Sequence, residues 1–483
     1  MSAELTQTSQ TELVTGSADG RAQPLSLPDD LRDWLVEEAI SRSAGQDWSS
    51  AGERFRQIQT DAVQALKTTP FPTRKTESWR YTSVQPLIAA INGTTTNAEP
   101  KPGSREAQTA PQAEALQTLI DQADLVVHLS DTGSASLECR DNEAAQLLSF
   151  RLNQTSGQAL ESQSEAPGLL AQFGDRVPEG YFPFVSANAA LLSSCLEIQI
   201  AASTGSSVVK PRILLLNGDK GGDQEALSSK LHSRVLVSLA RDAQAELTEV
   251  RIDSGSAPVF ATSVLEASLE ANSVLQHYQF TAAGVTDCLY SAAFVKLGDH
   301  ANYAFNGGTT GSALSRNDLT VELTAPGAYA ALNAHMLLNG SSRCDYHTAL
   351  EHMAPHCESD EQVRTIVSDK GKAVFNGRIH IHRDAQKTRA EMNNRNLLMS
   401  PQAEVNTKPE LEIYADDVKC AHGATIGQLD ANAVFYCKSR GIDEQSARSL
   451  LSEAFIVETI QLMPATAQQD FAMALLQRFQ ETV

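Results

Sequence analysis

Four short phrases in the middle of the chain, AELTEV, SVLQHY, ANYAFN and YAALNA, begin at Ala245, Ser273, Ala301 and Tyr329, each 28 residues after the last. Every later copy follows a turn between two apolar runs, as in SLEANSVL, VKLGDHANY and VELTAPGAY, and similar turns recur in IVSDKGKAVF and LMSPQAEV. Strands that return at a fixed offset, with one small residue near each corner, stack coil upon coil, which is what a parallel β-solenoid requires. From the repeat alone, an antiparallel sandwich with accidental spacing stays open. From about Leu125 to Asp430 the texture is the same: short runs rich in Val, Ile, Leu and Ala, cut by Gly, Asp, Asn or Pro, with little sustained helical periodicity. Residues 125–430 are therefore expected to form a mainly β core, a parallel β-helix.

Helical patterning flanks that core. LRDWLVEEAI places Leu31, Trp34, Leu35 and Ala39 on one face, Ser26, Asp29 and Asp30 supply capping groups, and Pro70 and Pro72 close the region. The segment PFPTRKTESWRYT follows, and the stretch from Asn92 to Pro111, rich in Thr, Asn, Pro and Gly, reads as a linker. Residues 28–124 are thus an N-terminal helical domain with its linker. After Asp430 the helical period returns in ANAVFYCKSRG and DEQSARSLLSEAFIVETIQLM. Gly441 stops the first helix, Asp443 caps the second, and Leu450, Leu451, Phe455, Ile456 and Ile460 are expected to face inward. Residues 431–483 form this C-terminal helical domain, and both helical regions are expected to cover the open ends of the solenoid.

Charge and motif content narrow the function. Thirty-eight basic against 59 acidic side chains leave a net charge of −21, which opposes non-specific binding to nucleic acid or to an anionic membrane. No run approaches the roughly 18 to 20 apolar residues of a bilayer-spanning helix. Residues 1–27 show acidic Glu4 and Glu12 and neither a basic nor an apolar leader region, so they read as a disordered tail on a cytoplasmic protein. Seven cysteines without a CxxC pair fit reduced thiols. The chain contains no GxxxxGK[ST], no GxGxxG after a strand and no GxSxG, hence no evident nucleotide-binding or hydrolase machinery of its own.

Three clusters offer ligand chemistry. CDYHTALEHMAPHC holds Cys344, Asp345, His347, His352, His356 and Cys357 within fourteen residues. A zinc site here competes with polar residues at solenoid corners, and Pro355 opposes the helix that would bring His352 and His356 together. IHIH sets His380 and His382 on one strand face, where they share a metal or form a solvated stripe. DDVKCAHGATIG presents Cys420 and His422 two apart beside Asp416 and Asp417, a thiol and an imidazole able to meet iron or zinc from one face, or a buried Cys beside a surface His.

The run from Lys372 to Asp430, with TESWRYT at Thr76–Thr82, DxHT at Asp345–Thr348 and FYCKSRG at Phe435–Gly441, closely resembles the SufB and SufD family of iron-sulfur cluster assembly proteins. KCAHGAT together with PFPTRKTESWRYT is similar to the SufD branch. That resemblance implies a right-handed parallel β-helix between helical domains, and a non-enzymatic scaffold subunit that pairs with a SufB-like chain, or forms a homodimer when SufB is absent. It also implies a SufC-like ATPase docked on the C-terminal helices, around Phe435, Tyr436, Arg440 and Phe455, and binding the ATP. No cofactor is then held tightly by this chain alone. A transient iron-sulfur cluster would be shared with SufB through His422, with Cys420 beside it, and Cys437 would be a packing residue. The competing functions are a β-helix polysaccharide-active enzyme and a zinc-stabilised adaptor built on Cys344 to Cys357.

Overall fold

The computed structural model describes residues 25–45, 52–93, 109–130, 135–154, 160–161, 168–178, 180, 182–204, 208–218, 231–252, 258–282, 284 and 286–482. Most of the expected tail and linker falls outside the described residues. Leu25 exchanges two hydrogen bonds with the Asn92 side chain (2.7 and 2.9 Å), and a helix already starts at Ala110, because Pro111 is tolerated in a first turn.

The strands, labelled in chain order, form two ten-stranded sheets. The first holds β1 (Leu125–Leu129), β2 (Ala135–Cys139), β6 (Arg212–Asn217), β8 (Gln244–Ile252), β10 (Val274–Ala282), β12 (Asn302–Thr310), β14 (Tyr329–Leu338), β16 (Glu358–Val367), β18 (Arg389–Leu398) and β20 (Lys419–Gly427). The second holds β3 (Leu148–Gln154), β4 (Leu160–Glu161), β5 (Ser194–Ile200), β7 (His232–Leu239), β9 (Phe260–Leu269), β11 (Cys288–Leu297), β13 (Leu314–Leu323), β15 (Arg343–His352), β17 (Lys372–Ile381) and β19 (Glu404–Ile413). From β7 onward the chain alternates between the sheets and every new pairing is parallel. The fold is a parallel β-helix, mainly β, flanked by helices.

The four repeated phrases lie on β8, β10, β12 and β14, but the period is not uniform. Paired residues are 30 apart from Gln244 to Val274, 28 from Val274 to Asn302 and 27 from Asn302 to Tyr329. Corners, more than strand phrases, keep the coils in step. At the six turns from β7 to β8 through β17 to β18 stands one left-handed residue, Asp242, Asn272, His300, Gly327, His356 or Lys387, with φ between +51° and +70° in every case. Asn, Asp, His and Gly tolerate this conformation best. The N–H of each donates to a carbonyl of the next coil's corner, ending with Lys387 to Asp417 at 2.6 Å. The residue after each, namely Ala243, Ser273, Ala301, Ala328, Cys357 and Thr388, is at most 1% exposed. These are the expected small corner residues, stacked in a column.

The solenoid interior is an apolar column running from Leu125 and Phe150 to Phe375 and Met392. It also contains a carboxyl. Glu361 pairs in register with Leu332 and Met392, two interior residues, and burial pushes its pKa up to about 8.

Helices α1 (Pro28–Gly45), α2 (Gly52–Thr68), α3 (Gln85–Ile91) and α5 (Pro183–Ala190) pack on the outer face of the second sheet over Leu236, Phe260, Val264 and Phe294. Helices α4 (Ala110–Gln122), α7 (Glu444–Ile460) and α8 (Thr466–Thr482) pack on the outer face of the first sheet over Val250, Tyr278, Phe280 and Ile366. The helices therefore cover the flanks of the solenoid instead of its ends, because each sheet has an apolar outer face as well as an apolar inner one. Gly441 (φ +88°) and Asp443, whose Oδ1 accepts from Ser446 N at 3.0 Å, terminate and cap as expected. Ile456 and Ile460 are buried, as expected, but Leu450 is half exposed to solvent.

Candidate functional site

KCAHGAT forms β20, the last strand of the first sheet. Its start is fixed by the corner ladder: Lys387 N bonds Asp417 O, Asp417 N bonds the Gln386 side chain at 3.0 Å, and Lys419 N bonds Thr388 O at 2.9 Å. Within the sheet β20 pairs only with β18, in the register Ala390 to Cys420 and Met392 to His422. Register partners in a pleated sheet share a face. Ala390 and Met392 belong to the interior column, so Cys420 and His422 both lie on the inward face, at the open mouth of the solenoid. Cys420 is half-buried against the column, and burial raises its pKa, which keeps it a thiol at neutral pH. His422 is exposed because no further coil covers it.

Exposed apolar side chains stand on the terminal coil and on the helix that follows it. Tyr414 is 63% exposed, and Ile413 and Ile426 are also exposed. In α6 (Ala431–Ser439), capped by Asp430 accepting from Asn432 N at 2.9 Å, no residue is fully buried. There Phe435 (71%) and Tyr436 (59%) stand in solvent, with the Arg440 guanidinium 5.2 Å from the Tyr436 ring centroid. Cys437 on the same helix is half-buried. Phe455 differs from these neighbours: its ring is partly buried against the first sheet's helices, with the Arg364 guanidinium 5.2 Å away, itself paired with Glu458.

The dense histidine and cysteine cluster is taken apart by the coil geometry. Cys344 and His352 point inward from β15; His352 meets Ser359 at 2.9 Å, and burial lowers its pKa to about 4, so it stays neutral. His356 is the left-handed corner residue and Cys357 the stacked one after it. Asp345 and His347 face outward into a buried network that sequence reasoning missed. Arg316 binds Asp318 (2.9 Å) and Asp345 (2.8 Å), His347 binds Asp345 (2.9 Å), and Tyr290 donates to Asp318 (2.7 Å). The TESWRYT segment closes over it. The Arg316 guanidinium lies 4.1 Å from the Trp79 ring centroid and donates to Ser78 O at 2.7 Å, while Thr82 donates to Asp345. Burial alone would raise the Asp345 pKa, but His347, Arg316 and Thr82 outweigh it and hold the carboxyl below its usual range. Two segments of the resemblance, TESWRYT and DxHT, thus meet in space as a clamp between the N-terminal helices and the solenoid. The IHIH pair does converge, with Glu351, as the one such group of three ligand atoms among the described residues.

Residues 221–455 match the family "SUF system FeS cluster assembly, SufBD core domain". The iron-sulfur cluster assembly protein SufD of Escherichia coli K12 is 31% identical, over 86% of this chain and 92% of its own length. A SufBD family iron-sulfur cluster assembly protein of Synechocystis is 25% identical, over 86% of this chain and 88% of its own.

Proposed function

The chain belongs to the SufBD family of iron-sulfur cluster assembly proteins, and from that premise we propose that it is the SufD-type, non-enzymatic subunit of a cluster-assembly scaffold. In this reading β19 and β20 meet a SufB-like chain, a second copy substitutes when none is present, and a SufC-like ATPase docks at the C-terminal helices and brings the ATP. The observation that carries the reading is the placement of His422: exposed, on the inward face of a terminal strand with one free edge, beside a half-buried thiol. A neutral imidazole is a borderline ligand suited to iron, and a partner's thiolates would complete a site for a transient cluster. An unpaired strand edge offers a row of backbone donors and acceptors to that partner. Phe435, Tyr436 and Arg440 support docking by their exposure, and the seven free cysteines suit the reducing cytosol. No described helix is long and apolar enough to cross a membrane.

Reconstitution of the three-protein complex tests this. His422→Ala is expected to leave the chain folded and complexed but to stop cluster absorbance from accumulating, with a smaller effect from Cys420→Ser. Full cluster yield from the His422 variant rejects the assignment, and loss of the complex itself moves His422 from chemistry to assembly. In the same reconstitution, Phe435→Ala with Tyr436→Ala is expected to release the ATPase. Substitution is a cleaner probe than truncation here, since α8 packs Phe471 against Phe280 at 5.1 Å between ring centroids and its removal would strip the first sheet.

A further inference from the structure

On the outer face of the second sheet, Glu351 of β15 stands in register with His380 of β17, and His382, two residues on, just follows the strand's end, its N–H still bonding His352 O at 3.0 Å. Their neighbours Leu350, Ile379 and Ile381 point into the interior column, so strand alternation puts all three ligand side chains on one outward face. His380 Nδ1 lies 2.7 Å and His382 Nε2 3.1 Å from the same oxygen, Glu351 Oε2. The two rings lie 4.1 Å apart, and the edge of Tyr414 packs on His380 at 5.5 Å. Arg378 occupies the other carboxylate oxygen, Oε1, and reaches toward Glu412 at 3.6 Å.

Folding alone gives little reason for this arrangement. The side chains of His380 and His382 are 19% and 38% exposed, and partly exposed ion pairs stabilise by about 1 kcal/mol or less. We infer that Glu351 Oε2, His380 Nδ1 and His382 Nε2 form a binding site for a divalent first-row transition cation. The three donor atoms lie within 4.8 Å of one another. Ligands on a tetrahedral ion at about 2.1 Å are roughly 3.4 Å apart, so the two bonded separations need to open by less than about 1 Å. Two imidazoles and one carboxylate suit zinc, iron(II) or cobalt(II). Calcium and magnesium prefer oxygen ligands, and copper(I) prefers sulfur. Arg378 fixes the carboxylate and Tyr414 the first ring, the kind of outer support that orients metal ligands. Three protein ligands leave a coordination position for water or for a group from another chain. The site stands at the ends of the second-sheet strands, with Tyr414 opening the turn into β20. It involves neither His422 nor Cys420, and so stands independently of the cluster-assembly reading.

Titrating the metal-free full-length chain with cobalt(II) tests the inference, with visible ligand-field absorption and equilibrium dialysis as readouts. One cobalt per chain, displaced by zinc, is expected. His382→Gln and His380→Ala should each weaken binding about tenfold or more, while exposed His128→Ala should titrate as wild type. Circular dichroism monitors folding, and the His382 variant, altering the most exposed of the three, carries the test if the His380 variant unfolds. Absence of stoichiometric cobalt in the wild-type chain, or undiminished binding in folded His382→Gln, overturns the site.

Discussion

The two ends of the β-helix are finished in opposite ways. At the start, the sheets terminate in β2 and β4, strands of five and two residues that pair antiparallel with their neighbours. At the finish they terminate in β19 and β20, strands of ten and nine residues in uninterrupted parallel register with β17 and β18. Short, reversed edge strands are a standard defence against edge-to-edge pairing, and long regular ones invite it. A second contrast lies within the later coils. On β13 and β15 the buried Arg316, Asp318 and Asp345 side chains are neutralised inside the molecule under the Trp79 segment, whereas the terminal coil keeps its polar edge and exposed Ile413, Tyr414 and Ile426 in solvent. The starting end is capped by its own short strands, and the finishing end leaves a long strand edge free within the described residues.

The largest effect that would sharpen the contrast is Arg316→Ala, which leaves two buried carboxylates without their cation. A loss of about 3–5 kcal/mol is expected in urea unfolding of the isolated chain. A loss below about 1 kcal/mol would break the claim that this clamp is a closed structural unit. Glu361→Gln comes next, with a distinctive pH signature. In the folded chain this carboxyl has a pKa of about 8, against 4.5 ordinarily, so the folded state holds a proton that the unfolded state has released. Stability contributed at low pH is therefore lost as pH rises from about 4.5 to about 8, at up to about 1.4 kcal/mol per pH unit. The amide removes that slope and should raise the thermal midpoint at pH 8, with little change at pH 4. An unaltered slope would show that the carboxyl is solvated. The smallest effect on stability is expected from Ala424→Pro. Because Lys419 N donates toward β18, donors alternate so that Ala424 N–H faces the free edge. Unfolding should shift by less than about 1 kcal/mol while a SufB-like chain no longer co-purifies; a large shift would mean that the edge is already used within the chain.

Much of the architecture was legible because solenoid corners are local. Ala301 and Cys357 sit beside left-handed residues that a sequence shows as turn signals, and Asp443 and Gly441 announce a helix boundary within four residues. Contacts across coils were not legible. Glu351 meets His380 29 residues later, and Thr82 meets Asp345 across 263, separations at which no periodicity reports register. The small corner residues recur, but coil lengths vary from strand to strand, so a count along the chain drifts out of phase. The flanking helices misled for another reason: their amphipathic patterns specify an apolar face, and the sheets' outer faces, not the solenoid ends, supply the matching surface. His422 was found through the residues around it; its exposure came only with the observation that no coil follows.

The corner ladder also sets how this molecule breathes. Each left-handed N–H ties its coil to the next, and the last of these bonds runs from Lys387 to Asp417. A linear array held by nearest-neighbour interfaces opens most easily at an end that is held on one side only. Residues 414–427 should therefore exchange their amide hydrogens through a local opening that leaves the preceding coils folded, and do so faster than β10 or β12. In the proposed assembly, a partner that pairs with the strand carrying His422 would suppress this opening, and the free energy of doing so would be subtracted from the affinity of the encounter, favouring an assembly that can come apart again.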